Sequence, residues 1–247
     1  MRWFLALADL GVALAQSPVG QVATRDVHSL LWLSDGRILL GHHDGLQVSK
    51  DGGRTWQALL SRQGWDAMNL AWDGQRLIVA GHDIYAESTD LKVFRDLKPK
   101  GLSGSDLHGY LVSPVNPALH FAHEASGGLF MSRDGGRTWS KTPRSASPIM
   151  TMDHSGVFYS AVPGLGLLQS RDNAASFAAV PGPETTLLTL AVASDGGLYA
   201  AGKNGLWLRT STEWRQIASG MVVALAVNPR RPAEVIWVDG TGRIWRR

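Results

Sequence analysis

Eight histidines and no cysteine stand in this 247-residue chain. The missing thiols exclude disulfides, thiolate zinc sites and cysteine nucleophiles, so imidazole and carboxylate are the main carriers of chemistry. Seven of the histidines lie in the first half of the chain, and six of them recur at related positions: His28, His42, His43, His82, His108 and His123. Three are followed at once by an acid, as His43-Asp44, His82-Asp83 and His123-Glu124, which read as one column of a repeat. Three more carboxylates, Asp26, Asp66 and Asp106, each precede His28, Met68 and His108 by two residues. Imidazole is the commonest protein ligand for zinc, copper and nickel, and a neighbouring carboxylate orients it. Met68 and Met150 add thioethers in the column of His28 and His108, which copper accepts. The pattern points to a copper or zinc ion, or a polar ligand, held by His28, His42, His82, His108 and His123. His43, Asp44, Asp83 and Glu124 line the same pocket. None of these spacings is a recognised metal motif, so convergence depends on the elements that carry them.

Those elements are short strands in a long-period repeat. Apolar runs such as Leu30–Leu33 and Leu187–Ala193 have strand length and end at turn residues. Asp35-Gly36, Asp73-Gly74, Ser155-Gly156 and Asp195-Gly196 read as first hairpins, while Gly45, Gly128, Gly166, Gly205 and Gly242 end second turns. The starts of the first strands align at His28, Met68, His108, Met150, Leu188 and Val223, at intervals of 40, 40, 42, 38 and 35. Four short strands per repeat, six times over, predict an all-β fold, a six-bladed β-propeller of four-stranded blades. The blades start near residues 27, 67, 107, 149, 187 and 222 of one domain spanning 16–247. The last repeat reaches Arg247 after three strands. An open ring exposes a sheet edge, so residues 18–25 are expected to close it as the outer strand of blade six. In such blades the start of the first strand and the end of the second share one rim. That rim collects six histidines from blades one to three. His120 has the opposite strand parity to His123 and is expected between blades, and His154 belongs to a hairpin on the other face.

Two eight-residue segments match almost letter for letter: Ser49-Lys50-Asp51-Gly52-Gly53-Arg54-Thr55-Trp56 and Ser132-Arg133-Asp134-Gly135-Gly136-Arg137-Thr138-Trp139. Decayed copies stand at Ser170, Asp172, Ser176 and Phe177, at Ser88, Asp90 and Phe94, and across Thr210–Trp214. Asp before Gly-Gly makes a tight turn whose carboxylate accepts backbone N–H bonds. Ser and Thr brace the same turn, and Trp packs between neighbouring sheets. These aspartates read as turn residues rather than catalytic acids.

The S-x-D-x-G-x-T-W pattern resembles the Asp-box, or BNR repeat, of sialidases, sortilin-type receptors and photosystem II assembly factors, and the resemblance runs over residues 17–247. It implies a propeller with the Asp-box hairpins on the face opposite the histidines. The sialidase Arg-Ile-Pro hallmark is missing, and none of Tyr85, Tyr110, Tyr159 and Tyr199 stands in a Tyr–Glu arrangement. The resemblance therefore implies a binding or assembly module for an unidentified protein or small ligand. The alternative is a sialidase-like glycoside hydrolase using rim carboxylates such as Asp44, Asp83, Asp106 or Glu124. Assembly-factor propellers usually have seven blades, against the six read here.

Residues 1–15 combine Arg2, an apolar stretch from Trp3 to Leu14, and Ala13-Leu14-Ala15 before Gln16. These are the parts of a secretory signal peptide, interrupted by Asp9, and they predict an exported, periplasmic or extracellular protein. The stretch is too short to be a transmembrane helix. A net charge of +3, with 24 scattered Lys and Arg, gives no nucleic-acid footprint. A monomer is expected.

Overall fold

The computed structural model describes residues 17–24 and 26–247, so the leader-like residues 1–15 lie outside the described residues. Six four-stranded antiparallel sheets surround a central channel. Blade one is Val27–Trp32, Ile38–His42, Gly45–Ser49 and Gln57–Ser61, in that order from the channel outward. The innermost strands of blades two to six are Asn69–Trp72, Leu107–Val112, Met150–Met152, Leu187–Val192 and Val222–Val227. Among the described residues there is no helix long and apolar enough to cross a membrane.

The ring closes as its truncated last repeat requires. Blade six has only Val222–Val227, Val235–Asp239 and Arg243–Arg246 from the C-terminal end of the chain. Gly20–Gln21 completes it, with Gly20 opposite Ile244 and Gln21 opposite Arg243. The Val19 amide donates to the Ile244 carbonyl at 2.8 Å and the Val22 amide to the Gly242 carbonyl at 3.0 Å. Val22 is buried with Ile236, Val238 and Ile244.

Second strands such as Ile38–His42 and Leu77–Gly81 are buried almost throughout because each is covered on both faces by neighbouring blades. They therefore read as continuous apolar runs rather than alternating ones. The core divides into six apolar clusters, one at each junction between adjacent blades. Leu39 and Leu46 meet Leu77 and Val79 between blades one and two. Phe121 and Phe158 meet edge to face at 5.0 Å between blades three and four.

The Asp-boxes are turns braced from within. The Ser49 and Thr55 hydroxyls donate to the Asp51 carboxylate at 2.8 and 2.6 Å, and the Arg54 and Thr55 amides donate to Asp51 Oδ1 at 3.0 Å each. Asp134 repeats this set with Ser132, Arg137 and Thr138. Asp172 keeps it with Ser170 and Ser176. The indole N–H groups of Trp56 and Trp139 donate to Gly53 and Gly136 carbonyls at 3.1 Å each, fixing the rings against the inter-blade cores. In the Asp172 copy, Asn173 and Ala174 adopt the positive φ that Gly52 and Gly53 supply in the first box. The hydrogen-bond frame thus outlasts its glycines.

These bonds stabilise the ionised aspartates. The Thr55 hydroxyl leads in pulling Asp51 down to about 2, and the Ser176 hydroxyl leads in pulling Asp172 down to about 2, from 3.8. Asp134 is lowered further, again chiefly by its threonine, Thr138. A depressed folded-state pKa contributes stability above the unfolded value that is lost as pH falls through the folded one. The melting temperature is expected to fall steeply between about pH 4 and pH 2, and an Asp51→Asn/Asp134→Asn/Asp172→Asn variant to show a flatter slope there. A slope equal to the parent's would remove the boxes as the cause.

Candidate functional site

Three local features turn the rim residues toward one another. The first strands of blades one and three each carry a bulge at their start, where pairing jumps from Val27 to Ser29 and from Leu107 to Gly109. His28 and His108 are the extra residues, and a bulge re-aims its side chain out of the ladder. Blades five and six keep the same bulge at Leu188 and Val223, so the device belongs to the repeat and the histidines to this half of the ring. The second strands of blades one and two end at His42 and Gly81, which places His43 and His82 at equivalent positions in the following turns. Finally, the segments leading into blades two and three each run beside the second strand of the blade before. The Ala67 amide donates to the His42 carbonyl at 3.1 Å, and Asp106 forms a parallel bridge with Gly81. Asp66 and Asp106 lie in these lead-in segments.

The result is a chain of imidazoles and carboxylates across blades one to three. Asp66 Oδ1 lies 2.9 Å from His28 Nε2 and 3.3 Å from His43 Nδ1, and those two nitrogens are 3.3 Å apart. Asp106 Oδ1 lies 2.7 Å from His82 Nδ1 and 3.0 Å from His108 Nε2. The rings of His82 and His108 meet edge to face at 4.7 Å. In each trio, ligating atoms from all three residues lie within 4.8 Å of one another.

Asp66 is the unusual member. It is only 3% exposed, and its ion-pair partners among the described residues are all histidines. Neither carboxylate oxygen has a partner in hydrogen-bonding geometry among those residues. The nearby imidazole nitrogens are within reach but off the hydrogen-bond axis. A buried carboxylate without donors is costly, and a cation among the same nitrogens would offset that cost. Burial lowers the His28 pKa, opposed by Asp66 and reinforced by His43. A neutral imidazole presents the lone pair that a metal needs.

The five histidines expected to share a centre do not do so. His28, His82 and His108 enter the two trios, while His43, expected only to line the pocket, joins the first of them. His42 Nδ1 instead accepts the Asp44 amide at 3.2 Å, inside its own turn. His123 lies inside its strand, His120–Glu124, two positions earlier in register than His43 and His82, so the three His–acid dipeptides do not form one column. Its Nδ1 is buried without a partner among the described residues. The position that would supply it a carboxylate, two before Met150, is Pro148. Burial, then His108, lowers the His123 pKa, and burial first lowers that of His42.

The expected lining acids serve the fold. Asp44 accepts the Gly64 amide at 2.9 Å, and Asp83 occupies a left-handed turn position with φ 53°. Glu124 is buried and accepts the Ser103 and Ser126 hydroxyls at 2.8 and 3.0 Å. Burial alone would raise its pKa, but those hydroxyls together hold it below the ordinary value. Asp66 and Asp106 were visible in the sequence as residues two before the strand-start column. What was missing was any sign that a lead-in segment faces two blades at once. His120 is fully buried between blades as its parity requires, accepting the Tyr110 hydroxyl at Nδ1 (2.6 Å) and donating from Nε2 to the Pro117 carbonyl (2.8 Å).

Below the rim, the six first strands enclose a channel of ≈ 520 Å³. His28, Met68 and His108 stand at its mouth, and Trp32 and Trp72 end the same strands on the opposite face.

Comparison with known proteins agrees with the architecture. The BNR/Asp-box repeat family matches residues 47–58 and 130–141. No curated protein sequence matches the chain significantly. Among solved structures, a gluconolactonase from Xanthomonas campestris is similar with a TM-score of 0.74 at 12% identity, over 93% of this chain and 87% of that one. A GH74 xyloglucanase from the same organism has a TM-score of 0.59 at 18% identity, over 88% of this chain. This chain spans only 36% of that enzyme's length. YCF48 bound to D1 peptide has a TM-score of 0.59 at 14% identity, over 92% of this chain and 94% of that one. Identities this low carry the fold and not the activity. Two segments that match the BNR/Asp-box repeat thus lie within a six-bladed β-propeller of four-stranded antiparallel sheets.

Proposed function

We propose that this propeller is an exported binding module that holds a divalent transition-metal ion, zinc or copper, at its His/Asp rim. Bound there, the ion is presented at the mouth of the channel to a protein or small ligand. One observation carries the reading: the His28 and His43 nitrogens lie 2.9 and 3.3 Å from the buried, donorless Asp66 carboxylate, and the His82 and His108 nitrogens lie 2.7 and 3.0 Å from Asp106 beside it. Nitrogen and oxygen donors in this ratio suit zinc and copper better than calcium or magnesium, which prefer oxygen alone. The YCF48 structure with a bound peptide supports the wider role of such a ring as a rigid presenting surface.

Protein recovered from the exported fraction, with its leader removed near Gln16, is expected to retain at least one equivalent of Zn²⁺ after desalting. Its melting temperature should rise with added Zn²⁺, since a ligand binding only the folded state stabilises it. Absence of retained metal, or equal retention by a His28→Ala/His43→Ala/His82→Ala/His108→Ala variant, sinks the proposal.

A further inference from the structure

The two trios are joined by a specific contact. Asp66 turns Oδ1 toward His28 and His43, while its Oδ2 lies 3.7 Å from His82 Nε2. His82 offers its other nitrogen, Nδ1, to Asp106. One imidazole thus faces both carboxylates, one through each nitrogen.

We propose that the rim is a two-ion site. One divalent ion sits among His28 Nε2, His43 Nδ1 and Asp66 Oδ1, and a second among His82 Nδ1, His108 Nε2 and Asp106 Oδ1. The Asp66–His82 contact couples them. This rests on the metal-binding reading above and adds its stoichiometry and wiring.

The spacing of the first trio carries the first half of the inference. Ligands about 2.0–2.1 Å from a tetrahedral zinc ion lie roughly 3.3–3.4 Å from one another. The observed triangle has sides of 2.9, 3.3 and 3.3 Å. His28 Nε2 and His43 Nδ1 share a hydrogen bond at 3.3 Å, while both Asp66 oxygens are left without a hydrogen-bonding partner among the described residues. The second trio repeats the same donor types one blade further on, at 2.7 and 3.0 Å from the shared Asp106 oxygen. Its His108 Nε2 is likewise buried without a hydrogen-bonding partner among the described residues. Three protein donors leave a fourth position open for water or an incoming ligand.

The tautomer of His82 carries the second half. A neutral imidazole bound to metal through Nδ1 keeps its proton on Nε2. That N–H faces Asp66 Oδ2, and a ligand histidine held by a carboxylate in this way is both oriented and more basic. Asp66 is therefore a ligand of the first ion and a positioning residue for the second.

Full-length protein stripped with chelator and titrated with Zn²⁺ tests this, with bound metal counted after dialysis and affinities read by calorimetry. The parent is expected to take two equivalents. His43→Ala should leave only the second site filled, and Asp106→Asn only the first, so each variant binds one. His43 is exposed, so its loss leaves the packed core untouched. Asp66→Asn should also bind one ion, but about 10-fold or more weakly than His43→Ala does, because the group that positions His82 has gone. A single equivalent in the parent overturns the two-ion site while leaving the rim as a metal site. Equal affinities in Asp66→Asn and His43→Ala overturn the coupling. Absence of Zn²⁺ uptake by the parent overturns the metal reading itself. Should Asp66→Asn fail to fold, the stoichiometries of the His43 and Asp106 variants still decide between one ion and two.

Discussion

Deletion of residues 18–24 is expected to unfold the ring rather than trim it. The segment is short, but it supplies the outer strand of blade six through Gly20–Gln21 and the flanking amides of Val19 and Val22. Burial of Val22 contributes about 2 kcal/mol, and each ladder bond about 1 kcal/mol net. The combined loss approaches about 5 kcal/mol, against a total stability of about 5–15 kcal/mol for a natural domain. A second cost follows from topology. Without this strand, Arg243–Arg246 becomes an unpaired edge with Ile244 uncovered, and such edges pair with other chains. The closing strand also packs on blade one: a Cβ at Gly20 would strike the carbonyl of Gly53 in the first Asp-box. The deletion variant should lose its cooperative urea transition, bind a hydrophobic dye and aggregate. A transition with the parent's midpoint and slope would show that the ring closes by other means.

Gly81→Ala should damage the fold and the site together. Gly81 ends the second strand of blade two, between the two segments that carry the rim carboxylates. An added Cβ would collide with the Asp66 carbonyl and approach the Met68 amide at 3.1 Å, and Gly81 also bridges Asp106. Both neighbours are backbone, so the strand must move. Overpacking of this kind costs about 1–3 kcal/mol. The shift falls on Asp66, Asp106 and His82 at once, and a displacement of several tenths of an ångström would break the proposed ligand set, whose atoms lie within 4.8 Å in each trio. Zn²⁺ affinity is expected to drop at least 10-fold, in line with loss of positioning groups at other metal sites. Gly202→Ala provides the matched comparison. Gly202 ends the second strand of blade five, and its Cβ would meet the Thr186 carbonyl and the Glu184 carboxylate, away from both histidine trios. It should lose similar stability and keep its metal. If both variants bind Zn²⁺ as the parent does, Gly81 positions nothing at the rim.

The architecture was legible in the chain because each of its devices is local. The Asp-boxes at Ser49–Trp56 and Ser132–Trp139 satisfy their own turns within five residues, so the motif reports the structure directly. The strand-start column from His28 to Val223 recurs because each first strand begins at an equivalent place in the repeat, and four of its six members prove to be bulge residues. Closure by the N-terminal segment followed from counting strands, since a ring cannot leave an edge unpaired. The burial of His120 followed from alternation along one strand.

The site was legible only as a set of residue types on one rim. Membership was decided by contacts between blades, which no spacing within a blade encodes. Asp66 belongs to blade two by sequence, yet its carboxylate faces His28 and His43 of blade one, because the lead-in segment hydrogen-bonds to the second strand of the preceding blade. His42 and His43 are adjacent, but alternation points one back into its own turn and the other across the rim. His123 looked equivalent to His82 by its acidic neighbour, but lies two positions earlier in its strand, and the next blade leads in with Pro148 where blades two and three have Asp66 and Asp106. By itself the sequence determined the ring, its closure and the half of the rim where chemistry could collect. Only the tertiary structure decided which donors meet, because the stagger of neighbouring blades sets those distances, and it does so at a scale of one residue.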